Sequence, residues 1–257
     1  MPTATDIPAI QSGRTPVYRL GYMPDPFVPP PWRIIRRRDP QIEAHHDDAT
    51  AGGRFDDPAA RQGIAEARRF RTIYCASERV AAIAESLEPF RSSAGDKRRS
   101  PELEDIVSQH PELRNAAGTV TPDWIAKRRV GATLLDARLR FVDLGESTAL
   151  DYLNETLGAF ARSLGFRRID YGTVLSSNRL LTQRIAGHFY ELLDPHTDEP
   201  LFAGISYISS LDLGWRCWAV FDQRARPEPM AVTPLAPEDP DLLHVVDRFK
   251  LRIGSRE

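Results

Sequence analysis

The sequence predicts an α+β domain in which a mixed sheet is flanked by helices. Three observations predict it. Strand-like and helix-like segments interleave, but without the regular βαβ rhythm of a doubly wound sheet. One strand, Arg71 to Ala76, runs directly into one amphipathic helix ending at Leu87. The chain has 257 residues and no internal repeat, enough to bury one sizeable core.

The elements follow in order. Residues 1–31 are rich in proline and end in MPDPFVPPP. Proline lacks an N–H and fixes φ, so extended or irregular chain is expected there, set apart as an N-terminal extension. Trp32 to Arg36 (WRIIR) alternates weakly and predicts a first strand. Arg38 to Gly53 is polar and aperiodic, which predicts a long loop. Arg71 to Ala76 (RTIYCA) predicts the second strand. Ser77 then offers an N-cap, and Glu78 an acid for the first helical turn. Val80, Ile83, Ala84 and Leu87 recur at i, i+3, i+4 and i+7 in a helix that stops before Pro89. Residues 91–129 are polar and predict an exposed insertion. Val130 to Leu135 and Leu139 to Leu144 predict strands; Ser147 to Leu164 and Leu180 to Leu193 predict helices. Gly204 to Ser209 and Cys217 to Phe221 predict strands joined by SLDLGWR. The main domain is thus expected over 32–225, followed by a tail, 226–257, with a helix from Leu242 to Phe249.

Composition narrows the function. With 34 basic and 36 acidic residues, nothing demands nucleic acid or an anionic membrane as partner, and no DNA-binding signature is present. Cys75 and Cys217 are the only cysteines, too few for a disulfide framework or a tetrahedral metal site. No apolar run approaches the ~20 residues of a membrane span, and the N-terminus lacks the pattern of a secretory signal. A reducing cytoplasm is the expected setting. His45-His46-Asp47-Asp48 does not predict a metal, because adjacent residues rarely aim at one ion and no further ligand pair follows. Neither a Rossmann nor a Walker glycine loop occurs. Period two points Cys75 away from Tyr74, into a core.

Glu85 lies off the apolar stripe, near Ala81 and Ala82, where small neighbours would let a ligand approach the carboxylate. Taken singly, Glu85 is a solvated helix residue, Tyr74 a core residue, Arg33 part of a surface cluster and Gly52-Gly53 a turn. Their order in the chain says more. Trp32-Arg33-Ile34-Ile35-Arg36, Gly52-Gly53-Arg54-Phe55-Asp56-Asp57-Pro58, Tyr74-Cys75-Ala76-Ser77 with Glu85, Gly204-Ile205-Ser206-Tyr207-Ile208-Ser209-Ser210 and Trp218-Ala219-Val220-Phe221-Asp222 resemble the RES domain family, toxins of bacterial toxin–antitoxin pairs.

The resemblance implies a fold similar to that of ADP-ribosylating toxins and an enzyme that consumes NAD+. It implies phosphorolysis or hydrolysis of the nicotinamide–ribose bond; the alternatives are ADP-ribosylation of a protein target and a non-catalytic binding module on the same fold. The family's Arg falls on Arg33, its strand Tyr on Tyr74 and its Glu on Glu85. Arg54 is the second Arg, with Phe55 replacing the more usual Trp. The serine falls on Ser209 by one motif; by another it would sit just before the LTQRIA helix, where this chain has Leu180, with Ser176 and Ser177 upstream. Gln183 of that helix is a further binding candidate. The implied partners are NAD+ as substrate, phosphate as an acceptor and a separately encoded helical antitoxin.

The chemistry asks for these residue types independently. Cleavage builds positive charge on the ribose, and nicotinamide leaves as a neutral base, so one carboxylate aimed at the ribose is needed rather than a general acid. Glu85 suits that role. A diphosphate needs a cation with fork geometry, for which Arg33 and Arg54 are candidates. Tyr74 or Phe55 could stack on nicotinamide, and Ser209 could hydrogen-bond its carboxamide or the ribose.

Overall fold

A computed structural model of the chain describes residues 7, 9–10, 16–22, 26–27, 53–58, 70–91, 118–225, 227 and 229–254. In chain order the first elements are β1 (Ala9–Ile10), β2 (Pro16–Tyr22), β3 (Thr72–Ala76), α1 (Arg79–Leu87), β4 (Thr119–Val120) and α2 (Pro122–Ala126). Then come β5 (Arg128–Leu134), β6 (Phe141–Asp143), α3 (Ser147–Ser163), α4 (Tyr171–Val174) and α5 (Arg179–Glu191). The last are β7 (Gly204–Ile208), β8 (Arg216–Phe221), β9 (Ala231–Pro234), α6 (Pro240–Arg248) and β10 (Arg252–Ile253).

Eight strands form one sheet in the order β1-β6-β7-β8-β3-β2-β5-β9. β6 and β7 run parallel and the other neighbours antiparallel, so the sheet is mixed and the class is α+β, as the sequence predicts. β4 and β10 pair separately, in parallel.

Period two sorts the sheet into two faces. Ile73 and Cys75 of β3 join Val17, Phe27, Trp218 and Val220 in the smaller core cluster. Ala76 joins Ile205, Tyr207, Cys217, Ala219 and Phe221 in the main core, where α1, α3 and α5 cover the sheet. Cys75 is thus a core residue whose thiol burial pushes up to about 12, as its alternation with Tyr74 predicts. Arg216 ties three strands: its Nη1 donates to Asp143 Oδ2 of β6 and Ser206 Oγ of β7, both at 2.9 Å.

Several segments differ from expectation. Residues 1–31, expected as extended or irregular chain, supply β1 and β2. β2 lies between β3 and β5, in register with β5 from Pro16↔Leu134 to Tyr22↔Arg128. Its proline sits at the first position, where it breaks no ladder, and Val17 and Leu20 are buried. Proline-rich composition masks this short run. Part of the polar stretch 91–129 is also core: Thr121 caps α2 by accepting from Trp124 N at 3.2 Å, and Trp124 and Ile125 are buried. Ser77 does not cap α1. Its N–H donates to the Arg216 carbonyl at 2.8 Å and its hydroxyl accepts from Arg216 N at 3.1 Å, so it fastens the β3 exit to β8. The C-terminal helix packs on α1, where Arg79 donates to both Asp239 and Asp241. The strand expected over Trp32 to Arg36 and the pair His45-His46 lie outside the described residues.

Ile83, Ala84 and Leu87 are fully buried on α1, with Val80 partly so, matching the apolar stripe in the sequence. Ile83→Ala leaves a cavity in that contact and is expected to cost about 2–5 kcal/mol. Thermal denaturation checks it: a melting temperature within about 1 °C of wild type would contradict this packing.

Candidate functional site

Tyr74 and Glu85 are presented by one strand–helix unit. Tyr74 sits on the helix-covered face of β3; Glu85 sits in the last turn and a half of α1. Between them lies a cavity of about 460 Å³, lined among others by Tyr74, Glu85, Arg54, Tyr207, Cys217 and Arg179. Ala82 lines it too, one turn before Glu85, so the small-residue face of α1 opens onto the carboxylate as its spacing predicts.

Glu85 is held from two sides. Ser209 donates its hydroxyl to Glu85 Oε1 at 2.5 Å, while its own oxygen accepts from Leu211 N at 3.0 Å. Cys217 points its thiol at the same carboxylate oxygen from 3.9 Å. Of the serines the motifs left open, Ser209 is therefore the one that touches the acid. Ser177 also lines the cavity, and Ser176 turns its carbonyl toward Arg54. Burial raises the Glu85 pKa above the ordinary value, and the Ser209 hydroxyl and the Arg54 charge partly offset this. Burial likewise pushes the Cys217 thiol up, helped by the nearby Glu85 charge, so it stays a neutral donor.

Tyr74 does something the sequence does not foretell. Its hydroxyl accepts from Phe55 N at 2.8 Å and donates to Asp56 Oδ1 at 3.0 Å. Asp56 in turn accepts from Gly53 N at 2.5 Å, and Thr72 donates to the Phe55 carbonyl at 2.8 Å. Any side chain at position 53 would collide with the Tyr74 ring, since a Cβ there would lie 2.3 Å from its hydroxyl oxygen. Gly53 is required by that close approach. The Tyr74 hydroxyl is thus committed to holding the 53–57 turn, and its ring is what faces the cavity. Burial is the first cause of the raised pKa values of both Tyr74 and Asp56.

The turn displays Arg54. Its guanidinium lines the cavity and its Nη1 donates to the Ser176 carbonyl at 2.5 Å. Burial lowers its pKa, with the Arg179 charge the next cause; Tyr207, Tyr74 and Glu85 act the other way. Phe55 is placed differently from its expected stacking role. Its side chain is fully buried with its ring 5.3 Å from that of Tyr207, so Phe55 backs the wall and Tyr207 is the ring that lines the cavity. Gln183 is also buried: its Nε2 donates to the Gly53 carbonyl at 3.1 Å, supporting the turn from α5. Arg33 lies outside the described residues.

Several lining residues were not among the site candidates from the sequence, Tyr207, Cys217, Arg179 and Arg19 among them. Tyr207 shares the face of Ser209 by period two, a signal present in GISYISS. Cys217 belongs to β8 opposite Tyr207 in register. Arg179 is the first residue of α5, one position before the expected helix start, behind the Asn178 cap. Arg19 arrives from β2, where its Nη1 donates to the Tyr74 carbonyl at 3.1 Å and its Nε to the Pro26 carbonyl at 2.6 Å. Among the described residues no group of His, Cys, Asp and Glu is arranged to hold a metal ion, and no helix is long and apolar enough to cross a membrane.

The family model described as RES domain matches residues 30–242, most of the chain. No curated protein and no solved structure matches the chain.

The raised Glu85 pKa has a consequence for stability. The unfolded chain releases this proton at a lower pH than the folded chain. Stability is therefore removed as pH rises from the ordinary Glu value through the folded value, and the loss is complete above it. Glu85→Gln keeps an acceptor for Ser209 and removes the buried charge. It is expected to melt above wild type at pH 8, with the difference shrinking as pH falls towards 4. A variant that melts below wild type at every pH would refute the account.

Proposed function

Because the chain belongs to the RES domain family over most of its length, we propose that it binds NAD+ as a substrate and cleaves the nicotinamide–ribose bond. The observation that carries this reading is the cavity itself: a carboxylate held by Ser209 and a guanidinium on a fixed turn line one space, with the aromatic residues Tyr74 and Tyr207. A zwitterionic dinucleotide has the matching charges, a pyridinium riboside and an anionic diphosphate.

Glu85 would stand beside the ribose, its charge placed before the reaction where positive charge develops as nicotinamide leaves. Ser209 would fix the rotamer of Glu85, and Cys217 would limit water at its other side. The ring of Tyr74, its hydroxyl already committed to the turn, would offer its face to nicotinamide, with Tyr207 as the neighbouring wall. Arg54 would pair with the diphosphate; Arg33 carries that role only by its place in the family's motif order. Phosphate or water would accept the ribose, the two outcomes being phosphorolysis and hydrolysis. Transfer to a protein would use the same first half-reaction. A toxin of this kind needs restraint, and the family supports a separately encoded antitoxin that covers the cavity.

Purified protein freed of any inhibitor is expected to release nicotinamide from NAD+, faster with phosphate if phosphate is the acceptor. Glu85→Ala is expected to lower kcat on the order of 10²–10³-fold, and Ser209→Ala by less. Because ionised Glu85 is the active form, kcat/KM should rise with pH on a limb centred above the ordinary Glu value. Labelled NAD+ that marks a protein would indicate transfer instead. A wild-type protein as inert as Glu85→Ala would sink the enzymatic reading and leave a binding module.

A further inference from the structure

Three arginines line the cavity, Arg19, Arg54 and Arg179, and two of them, Arg54 and Arg179, meet. They come from distant parts of the chain, a turn after position 53 and the first residue of α5. They converge on one acceptor: Nη1 of Arg54 donates to the Ser176 carbonyl at 2.5 Å and Nη1 of Arg179 to the same oxygen at 3.5 Å. A carbonyl oxygen offers two lone pairs, whereas two guanidinium groups carry about ten N–H donors. Neither arginine has an ion pair with a carboxylate among the described residues. Glu85 acts on Arg54, and Arg179 on Asp56, only through their charges and without a hydrogen bond.

Such an arrangement is costly without a ligand. Like charges a few ångströms apart repel, and more strongly in a half-enclosed cavity than in water. Arg179 is not needed to cap α5, because Asn178 does so through Leu181 N at 3.0 Å. An anion with several oxygens would relieve both. One phosphate can be shared between two guanidinium groups, but two adjacent phosphates give each fork its own pair of oxygens and carry more charge to match two cations.

We propose that Arg54 and Arg179 together form a diphosphate site, so that a nucleoside diphosphate is a ligand of the cavity on its own, without the nicotinamide half. Arg54 is the fixed member, locked by the turn that Tyr74 and Gln183 hold. Arg179, more loosely bound to the shared carbonyl, is the specificity-determining member that separates a diphosphate from a monophosphate. The choice of a nucleoside rests on the NAD+ reading; the two-arginine anion site does not.

Calorimetric titration of the full chain with ADP, AMP and adenosine tests this, with nicotinamide release from NAD+ measured in parallel. Wild type is expected to bind ADP about tenfold or more tightly than AMP, since each charge-assisted fork contributes at least that factor. ADP affinity should weaken as salt rises. Arg179→Gln is expected to weaken ADP about tenfold and to bring the ADP-to-AMP ratio near one, with an unchanged melting temperature. Arg179→Lys should recover part of the ADP affinity but not the ratio. Unchanged ADP binding in Arg179→Gln would overturn the proposal, as would a wild type that does not distinguish ADP from AMP. Arg179-dependent ADP binding without nicotinamide release would uphold the diphosphate site and remove the cleavage reading. Nicotinamide release with the same KM in Arg179→Gln, and no ADP binding, would do the reverse.

Discussion

One buried hydroxyl sets the geometry of the site. The Tyr74 oxygen accepts from the Phe55 backbone, donates to Asp56 and lies against Gly53, where no side chain fits. Each contact alone contributes modestly, on the order of 1 kcal/mol. Together they remove the freedom of a turn that would otherwise be a solvent loop. The turn is then pinned from α5 by Gln183 and packed by Pro58 against Gly187. Arg54 therefore enters the cavity from a fixed backbone, and its position relative to Glu85 is set by the sheet rather than by a long flexible side chain.

That rigidity allows an electrostatic arrangement that a soft site would not keep. Burial works against both ends of the cavity, raising the pKa of Glu85 and lowering that of Arg54. The two groups are in the same field but not in contact, so each keeps its charge available to something between them. A direct Glu85–Arg54 ion pair would be easier to accommodate and would close the site. Ser209 prevents this by holding Glu85 Oε1, and Ser176 by holding Arg54. Burial of the two charges works against stability, and no direct ion pair between them offsets it.

Much of this was legible in the chain. The strand–helix unit from Thr72 to Leu87 shows itself through two clean periods, and the helices α3, α5 and α6 fall close to their predicted spans. The roles of neighbours were harder. Phe55 and Tyr207 are both aromatic and both adjacent to motif residues, but which ring faces the cavity and which supports it depends on packing from another strand. Gln183 carries a motif signal yet acts through the backbone of Gly53, a contact 130 positions away in sequence. Arg179 carries no signal, because an arginine at a helix start is unremarkable until the fold places Arg54 beside it. β2 was obscured for a different reason: composition averaged over a proline-rich stretch hides a seven-residue strand with only one proline.

The unit that builds the site is larger than the segment that carries the family's motifs. The family match spans residues 30–242, whereas β2 ends at Tyr22 and α6 runs to Arg248. β2 lies between β3 and β5, and contributes Tyr18, Arg19 and Leu20 to the cavity. Arg19 also fastens the Tyr74 carbonyl, so the strand that bears the key hydroxyl is braced by a residue outside the matched span. At the other end the matched span stops within α6: Asp241 and the capping Asp239, both still inside it, hold Arg79 at the first position of α1, the helix that carries Glu85. Beyond the span, Val245 of α6 is buried in the core cluster that also holds Ile83 and Leu87 of α1. The motifs supply Tyr74, Glu85 and Arg54, and the flanking segments pack against the elements that carry them. Residues outside the matched span, Arg19 on one side and Val245 on the other, therefore support the strand that bears Tyr74 and the helix that bears Glu85.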